Sequence, residues 1–399
     1  MAEDMDTGRI RFGVLSAFCA SLLGIGLARF AYTPLLPALI GAHWFPAAAA
    51  AYLGAANLAG YLAGAMLGQH FARLVSTPVT LRAMMVVATL SFFACAWPAA
   101  FMWFFIWRFV SGLAGGVLMV LAAPAVLAHV PHARRGVAGG FIFMGIGVGV
   151  AASGTLVPLL LEGGLSMAWL GLGGLAAVLT LLAWQGWPAD AHAHLAEPAT
   201  RQPTAQGRLR ALYVSYGLVA VGLVPHMLFL VDFVARGLGR GLHAGAGYWV
   251  LFGLGAMAGP LLNGHLADRI GFAPALRLGF AAGSVAVLLP AFAAAPVALG
   301  ISSLIAGACT PGLVPIVLGR VHELRPHDPA GQRLAWSRAT IAFALFQAVA
   351  AYGLSFLFAQ GSGYNALFMT GAAALALALM IDGAASAPVR KDNILRQER

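Results

Sequence analysis

The stretch Gly264-His265-Leu266-Ala267-Asp268-Arg269-Ile270-Gly271, followed by Arg277, interrupts a long apolar run. An earlier stretch, Gly68-Gln69-His70-Phe71-Ala72-Arg73, is followed by Arg82. The glycine, the arginine five residues on and the later arginine recur at an offset near 196. Each stretch comes at the end of an apolar segment long enough to cross a bilayer, which takes about 20 residues. The chain therefore reads as two related halves.

Working outward from these two stretches, apolar segments run near 12–40, 48–70, 80–98, 101–128, 137–160 and 166–187. After a polar gap come 211–235, 245–266, 274–295, 297–319, 336–359 and 364–384. Twelve helices in two six-helix bundles follow, with domains 1–187 and 211–399 joined by a linker, 188–210. Pro98 and the length needed for a turn separate the third segment from the fourth. Strands are excluded, because the runs are too long and do not alternate. The first apolar stretch is too long for a signal peptide and has no small-residue cleavage site.

Composition supports an all-α integral membrane protein. Apolar residues make up 61% and charged residues 9% of 399, with a mean hydropathy of +0.86. A soluble fold is nearer a quarter charged. The net charge of +10 does not point to nucleic acid, since the basic residues form no clustered stripe. Cys19, Cys95 and Cys309 lie in apolar segments with no metal spacing and read as small packing residues. His192 and His194 read as solvated linker residues. No cofactor is expected.

Arginine placement orients the chain. With the N-terminus inside, nineteen basic residues fall in inside segments, and only Arg236 and Arg240 fall outside. Both termini are expected to be cytoplasmic, in a bacterial inner membrane. A missed helix would have scrambled this asymmetry.

Gly264-x-x-x-Asp268-Arg269-x-Gly271 resembles the signature between helices 8 and 9 of the major facilitator superfamily (MFS) of secondary transporters. The first copy is degenerate, with Ala72 in the aspartate's place. Arg108-x-x-x-Gly112 resembles the family's second signature. Gly145, Gly147, Gly149, Gly154 and Pro158 are only loosely like the third, which marks proton–drug antiporters. They lack its Gly-Pro pair, so antiport is not implied. Gly26-Leu27-Ala28-Arg29-Phe30-Ala31-Tyr32-Thr33-Pro34-Leu35-Leu36-Pro37 and Gly222-Leu223-Val224-Pro225-His226 resemble the YbfB-like branch. The resemblance covers the whole chain. It implies two bundles rocking about a central site lined by helices 1, 4 and 7, with no named cargo.

An ionisable side chain in a spanning helix costs about 2.5–3.5 kcal/mol and usually faces a cavity or a partner. Arg29, Arg108, His226 and Asp232 are such residues. Helical rise places the first three roughly 10–15 Å below the outer surface. Two fixed positive charges suit an anionic or strongly polar solute, and His226 is the natural proton carrier. Tyr32 and Gln347 offer uncharged hydrogen bonds. Each residue also has a plainer role open to it. Arg29 can snorkel outward, and Arg108 can bond backbone carbonyls. His226 can be structural beside Pro225. Asp232 can pair with Arg236, and Gln347 can simply pack. Gly264, Asp268, Arg269 and Gly271, with Arg73, are candidate gating residues. Asp268 would favour a helix N-terminus and pair with loop arginines. Gly60, Gly64 and Gly68, and likewise Gly255 and Gly259, stack on single helix faces as close-contact or sliding surfaces.

The expected function is a monomeric secondary transporter that moves a small solute, of possible anionic character, by alternating access with proton coupling. Its partners are the solute, protons and the lipid bilayer. A membrane enzyme such as an acyl transferase would need an acid–base or metal cluster. The nearest candidates, His129 and His132 beside Arg134, lack a carboxylate. A sensor would carry a soluble output domain, and an ATP-driven pump would carry a phosphate loop.

Overall fold

The structure is a computed structural model that describes residues 2–131, 135–188, 203–326 and 328–386. Among them are twelve helices long and apolar enough to cross a membrane. They are α1 (Gly8–Gly41), α2 (Ala47–Val75), α3 (Thr77–Ala94), α4 (Phe101–Leu127), α5 (Ala138–Leu161) and α6 (Leu165–Ala183). The second six are α7 (Gln206–Gly237), α8 (Gly241–Ile270), α9 (Phe272–Phe292), α10 (Pro296–Leu324), α11 (Leu334–Ala359) and α12 (Tyr364–Ala385). No strand occurs among the described residues. An even number of crossings puts both ends of the chain on one face, called here the terminal face. The opposite face is called the far face.

Several boundaries differ from the sequence reading, which followed apolar character alone. Helix continues through the polar residues at the membrane edge, because intrahelical hydrogen bonds do not require apolar side chains. The helix of α7 begins at Pro203, so the second part of the 188–210 linker is helical. The third and sixth helices end early, at Ala94 and Ala183, although apolar residues continue. The stretch 264–270 is the last turns of α8, and Gly271 alone makes the turn. His132, Arg134, His192 and His194 concern residues whose side chains lie outside the described set.

The repeat is real, but its register is 195. Gly60 and Gly64 of α2 face the carbonyls of Phe109 and Leu113 on α4, and Gly255 and Gly259 of α8 face those of Leu304 and Ala308 on α10. Gly112 meets the Asn57 carbonyl, as Gly307 meets that of Phe252. Every residue in one set is 195 positions from its counterpart. A Cβ at these glycines would collide with backbone, so α2 and α4, like α8 and α10, touch main chain to main chain.

The turns keep this register. Ser76 N–H donates to Ala72 at 3.0 Å, and Gly271 N–H donates to Ala267 at 2.8 Å. Both turn residues have positive φ, 106° and 86°. The offset near 196 aligned glycines and arginines, but α2 carries one more residue between its glycine and its turn. The structural counterpart of Asp268 is therefore Arg73, not Ala72.

The bundles meet along α5 with α8 and α2 with α11. Met257 packs on Gly147 and Ala151 on Gly253, and the Tyr52 and Tyr352 rings lie 6.3 Å apart. At the far end an apolar plug from α2, α7 and α11 closes the seam, including Ala51, Ala55, Val224, Phe229 and Leu354. Met66, Leu261, Val285 and Phe292 are exposed, as residues that face lipid would be.

Candidate functional site

α1 and α7 are the two spans that change helix type part-way. In α1, Leu22–Leu27 is a π-helical turn, with Ala28 N–H donating to Leu23 O at 2.9 Å and Phe30 N–H to Ile25 O at 3.3 Å. The α-helix restarts at Tyr32. Pro34 has no N–H, and the Phe30 carbonyl is taken instead by Thr33 N–H at 3.2 Å. In α7, Phe233–Gly237 is π-helical, directly after Asp232. Such bulges are frequent at functional sites.

The break in α1 leaves the Ala28 carbonyl as an acceptor for side chains. Arg108 Nη1 donates to it at 2.8 Å, and Asn57 Nδ2 reaches it at 3.5 Å and the Arg108 carbonyl at 3.2 Å. The Arg108 guanidinium lies 4.3 Å from the centroid of the Tyr32 ring, whose hydroxyl donates to Ala50 O at 2.7 Å. Arg108 is 3% exposed, and its Nε has no partner. The backbone contact anticipated for Arg108 is thus made, and one nitrogen is left over.

Arg29 points across the seam. Its guanidinium lies 4.9 Å from the Phe30 ring centroid and 5.3 Å from that of Tyr61. Nη2 donates to the Met227 sulfur at 3.3 Å, while Nε is enclosed and unpartnered. From the other side Gln347 Nε2 donates to the same sulfur at 3.4 Å, leaving its Oε1 unpartnered. The Thr33 hydroxyl donates to the Met227 carbonyl. Among the described residues no carboxylate pairs with Arg29 or Arg108.

His226 and Asp232 lie elsewhere. His226 is fully buried within the C-terminal bundle, with Nε2 2.8 Å from Ser302 Oγ. Ser302 gives its proton to Ala286 O at 2.6 Å, so Nε2–H is the donor and Nδ1 carries the lone pair. Nδ1 has no partner, and Phe368 packs edge-on at 5.2 Å. The equal depth of His226, Arg29 and Arg108 therefore does not make them neighbours, since a helix turns adjacent side chains about 100° apart. Asp232 is fully buried. It takes Arg236 Nη1 at 3.1 Å and the Tyr364 hydroxyl at 2.6 Å.

Of the gating candidates, Arg73, Asp268 and Arg269 are exposed at the terminal face. Gly264 has open space around it, and Gly271 supplies the turn. Sequence reasoning missed Met227, Asn57 and Thr33. Asn57, an amide inside a spanning helix, was detectable. Met227 was not, because methionine reads as apolar filler.

Residues 21–383 match the model of a family described as "Uncharacterised MFS-type transporter YbfB". The chain belongs to this YbfB-like family of the major facilitator superfamily. Over 193 residues it is 31% identical to a "Putative metabolite transport protein" of Haemophilus influenzae. That match covers 42% of this chain and 45% of the relative, under half of its length. Among solved structures the chain resembles the nucleoside transporter NupG, at TM-score 0.73 and 14% identity over 95% of this chain and 99% of that one. It also resembles the xylose transporter XylE from E. coli, at TM-score 0.72 and 14% identity over 96% and 99%. At that identity these two establish the MFS fold and nothing about cargo.

Proposed function

We propose that this MFS protein is a secondary active transporter that carries a small anionic solute across the bacterial inner membrane, its two bundles rocking in alternating access. The observation that carries the reading is the pair of guanidinium groups, Arg29 and Arg108, set inside the membrane-spanning bundle with no carboxylate paired to either among the described residues. A buried cation without a counter-charge costs several kcal/mol. A solute carboxylate or phosphate supplies that charge, and arginine's planar fork fits it. The terminal face is cytoplasmic, as the arginine asymmetry expects, and the plugged far face is periplasmic. Residues 1–187 and 211–399 move as the two bodies, and the chain acts as a monomer.

Protons drive the cycle. His226 offers a bare Nδ1, and Asp232 is the one carboxylate of α7. Asp268 and Arg269 serve the gate at the cytoplasmic rim.

Uptake of a panel of carboxylates and phosphate esters into proteoliposomes under an imposed pH gradient tests the reading. At least one anion should accumulate, and Arg29→Ala and Arg108→Ala should each reduce its uptake tenfold or more at matched incorporation. Transport unchanged in both variants rules out the anion site. Accumulation that stays gradient-driven in both His226→Gln and Asp232→Asn removes these residues from proton coupling.

A further inference from the structure

Two side-chain hydrogen bonds that cross between the bundles end on one residue, Met227. Thr33 donates to its carbonyl, and Arg29 donates to its sulfur at 3.3 Å. Gln347, from the C-terminal bundle, donates to the same sulfur at 3.4 Å. A thioether is among the weakest acceptors a protein has. Two strong donors from opposite bundles are nevertheless aimed at it, in a place where Met227 is 3% exposed. Each donor group also keeps an unused polar atom, Arg29 Nε and Gln347 Oε1. A guanidinium and an amide N–H converging on one point form the donor pair that a carboxylate accepts, one oxygen to each.

We propose that Met227 is an internal stand-in for the solute: its sulfur occupies the donors of Arg29 and Gln347 in the empty carrier and latches the far end of the seam shut. The inference rests on the anion reading above and names the residue that the anion displaces. The arriving carboxylate outcompetes the sulfur, because charge-assisted hydrogen bonds are about twice as strong as neutral ones. Methionine suits the part, being unbranched and flexible enough to swing aside without a backbone shift. Its carbonyl stays tied to Thr33 meanwhile. Arg29 then bridges to Gln347 through the solute, which couples occupancy of the site to the fit between bundles.

In the closed, empty form the sulfur is the hydrogen-bond acceptor of Arg29. Removing it leaves a guanidinium unmet in the closed form only, since opening admits water. Met227→Leu does this at nearly constant volume. The probe is a cysteine pair, Tyr52→Cys with Tyr352→Cys, at the 6.3 Å ring contact between α2 and α11, with Cys19, Cys95 and Cys309 changed to alanine. Disulfide formation is followed in proteoliposomes with no solute present. Met227→Leu should slow it roughly tenfold, the range expected for one buried donor left unmet. In an Arg29→Ala, Gln347→Ala background, where neither donor remains, it should have no effect. Equal rates with and without Met227→Leu overturn the latch. So does a slowing that persists when both donors are removed, which would mark a packing defect. Met227→Ile serves the same comparison should the leucine variant not fold. Because no solute is added, failure here is distinct from failure of the anion reading, which the uptake assay judges.

Discussion

The guanidinium of Arg108 on α4 lies over the ring of Tyr32 on α1, 4.3 Å from its centroid. A buried cation over an aromatic face is worth about 0.5–2 kcal/mol. The ring therefore helps hold Arg108 in place, while the Tyr32 hydroxyl is used on the Ala50 carbonyl. Tyr32→Phe keeps the ring and should transport within about twofold of wild type. Tyr32→Leu removes it and should lower transport roughly 2- to 30-fold. Initial uptake rates at matched expression check the pair, and equal loss in both would mean that the ring does not position Arg108.

The main-chain contacts between α2 and α4, and between α8 and α10, tolerate no added carbon. Gly60→Val and Gly307→Val should each destabilise by about 3 kcal/mol or more, the upper part of the range for overpacking. Gly353 has open space around its Cβ position, and Gly353→Ala should be neutral or slightly stabilising. Thermal unfolding in detergent distinguishes the three.

The two turns make opposite predictions. Ser76 holds a φ of 106° without being glycine, and Gly271 holds 86°. A side chain at positive φ with extended ψ, 154° at Ser76 and 158° at Gly271, costs about 1–3 kcal/mol. Ser76→Gly should stabilise the protein by about 1 kcal/mol, and Gly271→Ala should destabilise it by a similar amount. The same melting experiment reads both.

Arg277 Nε pairs with Asp382 at 2.8 Å, the carboxylate side chain 6% exposed and the arginine 33%. Its counterpart Arg82 donates instead to the Trp184 carbonyl at 2.7 Å. Asp382→Asn should cost about 1–2 kcal/mol, between the values for exposed and buried pairs. It should leave solute affinity unchanged, because the pair joins α9 to α12 away from the seam. A shift in KM would contradict that placement.

The Ser302 hydroxyl donates its hydrogen bond to the Ala286 carbonyl and so fixes which nitrogen of His226 carries hydrogen. Ser302→Ala should destabilise by about 1–3 kcal/mol, the cost of a buried N–H left unmet. Ser302→Thr, which restores the hydroxyl, should recover most of it. Loss without recovery would point to packing around Ala286 instead.

The fold was legible because its causes are periodic and one-dimensional. Apolar length gives the spans, arginine placement gives their alternation, and Gly264–Gly271 with its earlier copy gives the two halves. Helix ends were less legible, since an apolar count cannot see that helix runs on through Pro203 or stops at Ala94. The candidate site divides along the same line. Arg29, Arg108 and Asp232 stood out as charges in apolar surroundings, and the Asp232–Arg236 pair followed from helical spacing. Depth along a helix does not fix azimuth, since adjacent side chains point about 100° apart. His226 and Met227 are adjacent in α7, yet one faces its own bundle and the other the seam. The register of 195 was also invisible, because matching Gly68 to Gly264 sets the two copies one residue out of step with their helix packing.

The register of 195 has a consequence at the terminal face of the molecule. In the structural register Arg73 stands where Asp268 stands in the other half, and both are exposed. A duplicated fold with identical rims would show the same charge at the end of both copies. Here the duplicate carries the opposite sign, so α2 and α8 end in unlike charges at the terminal face. The backbone repeats while the electrostatics do not, and the two halves are thereby distinguishable from the terminal side.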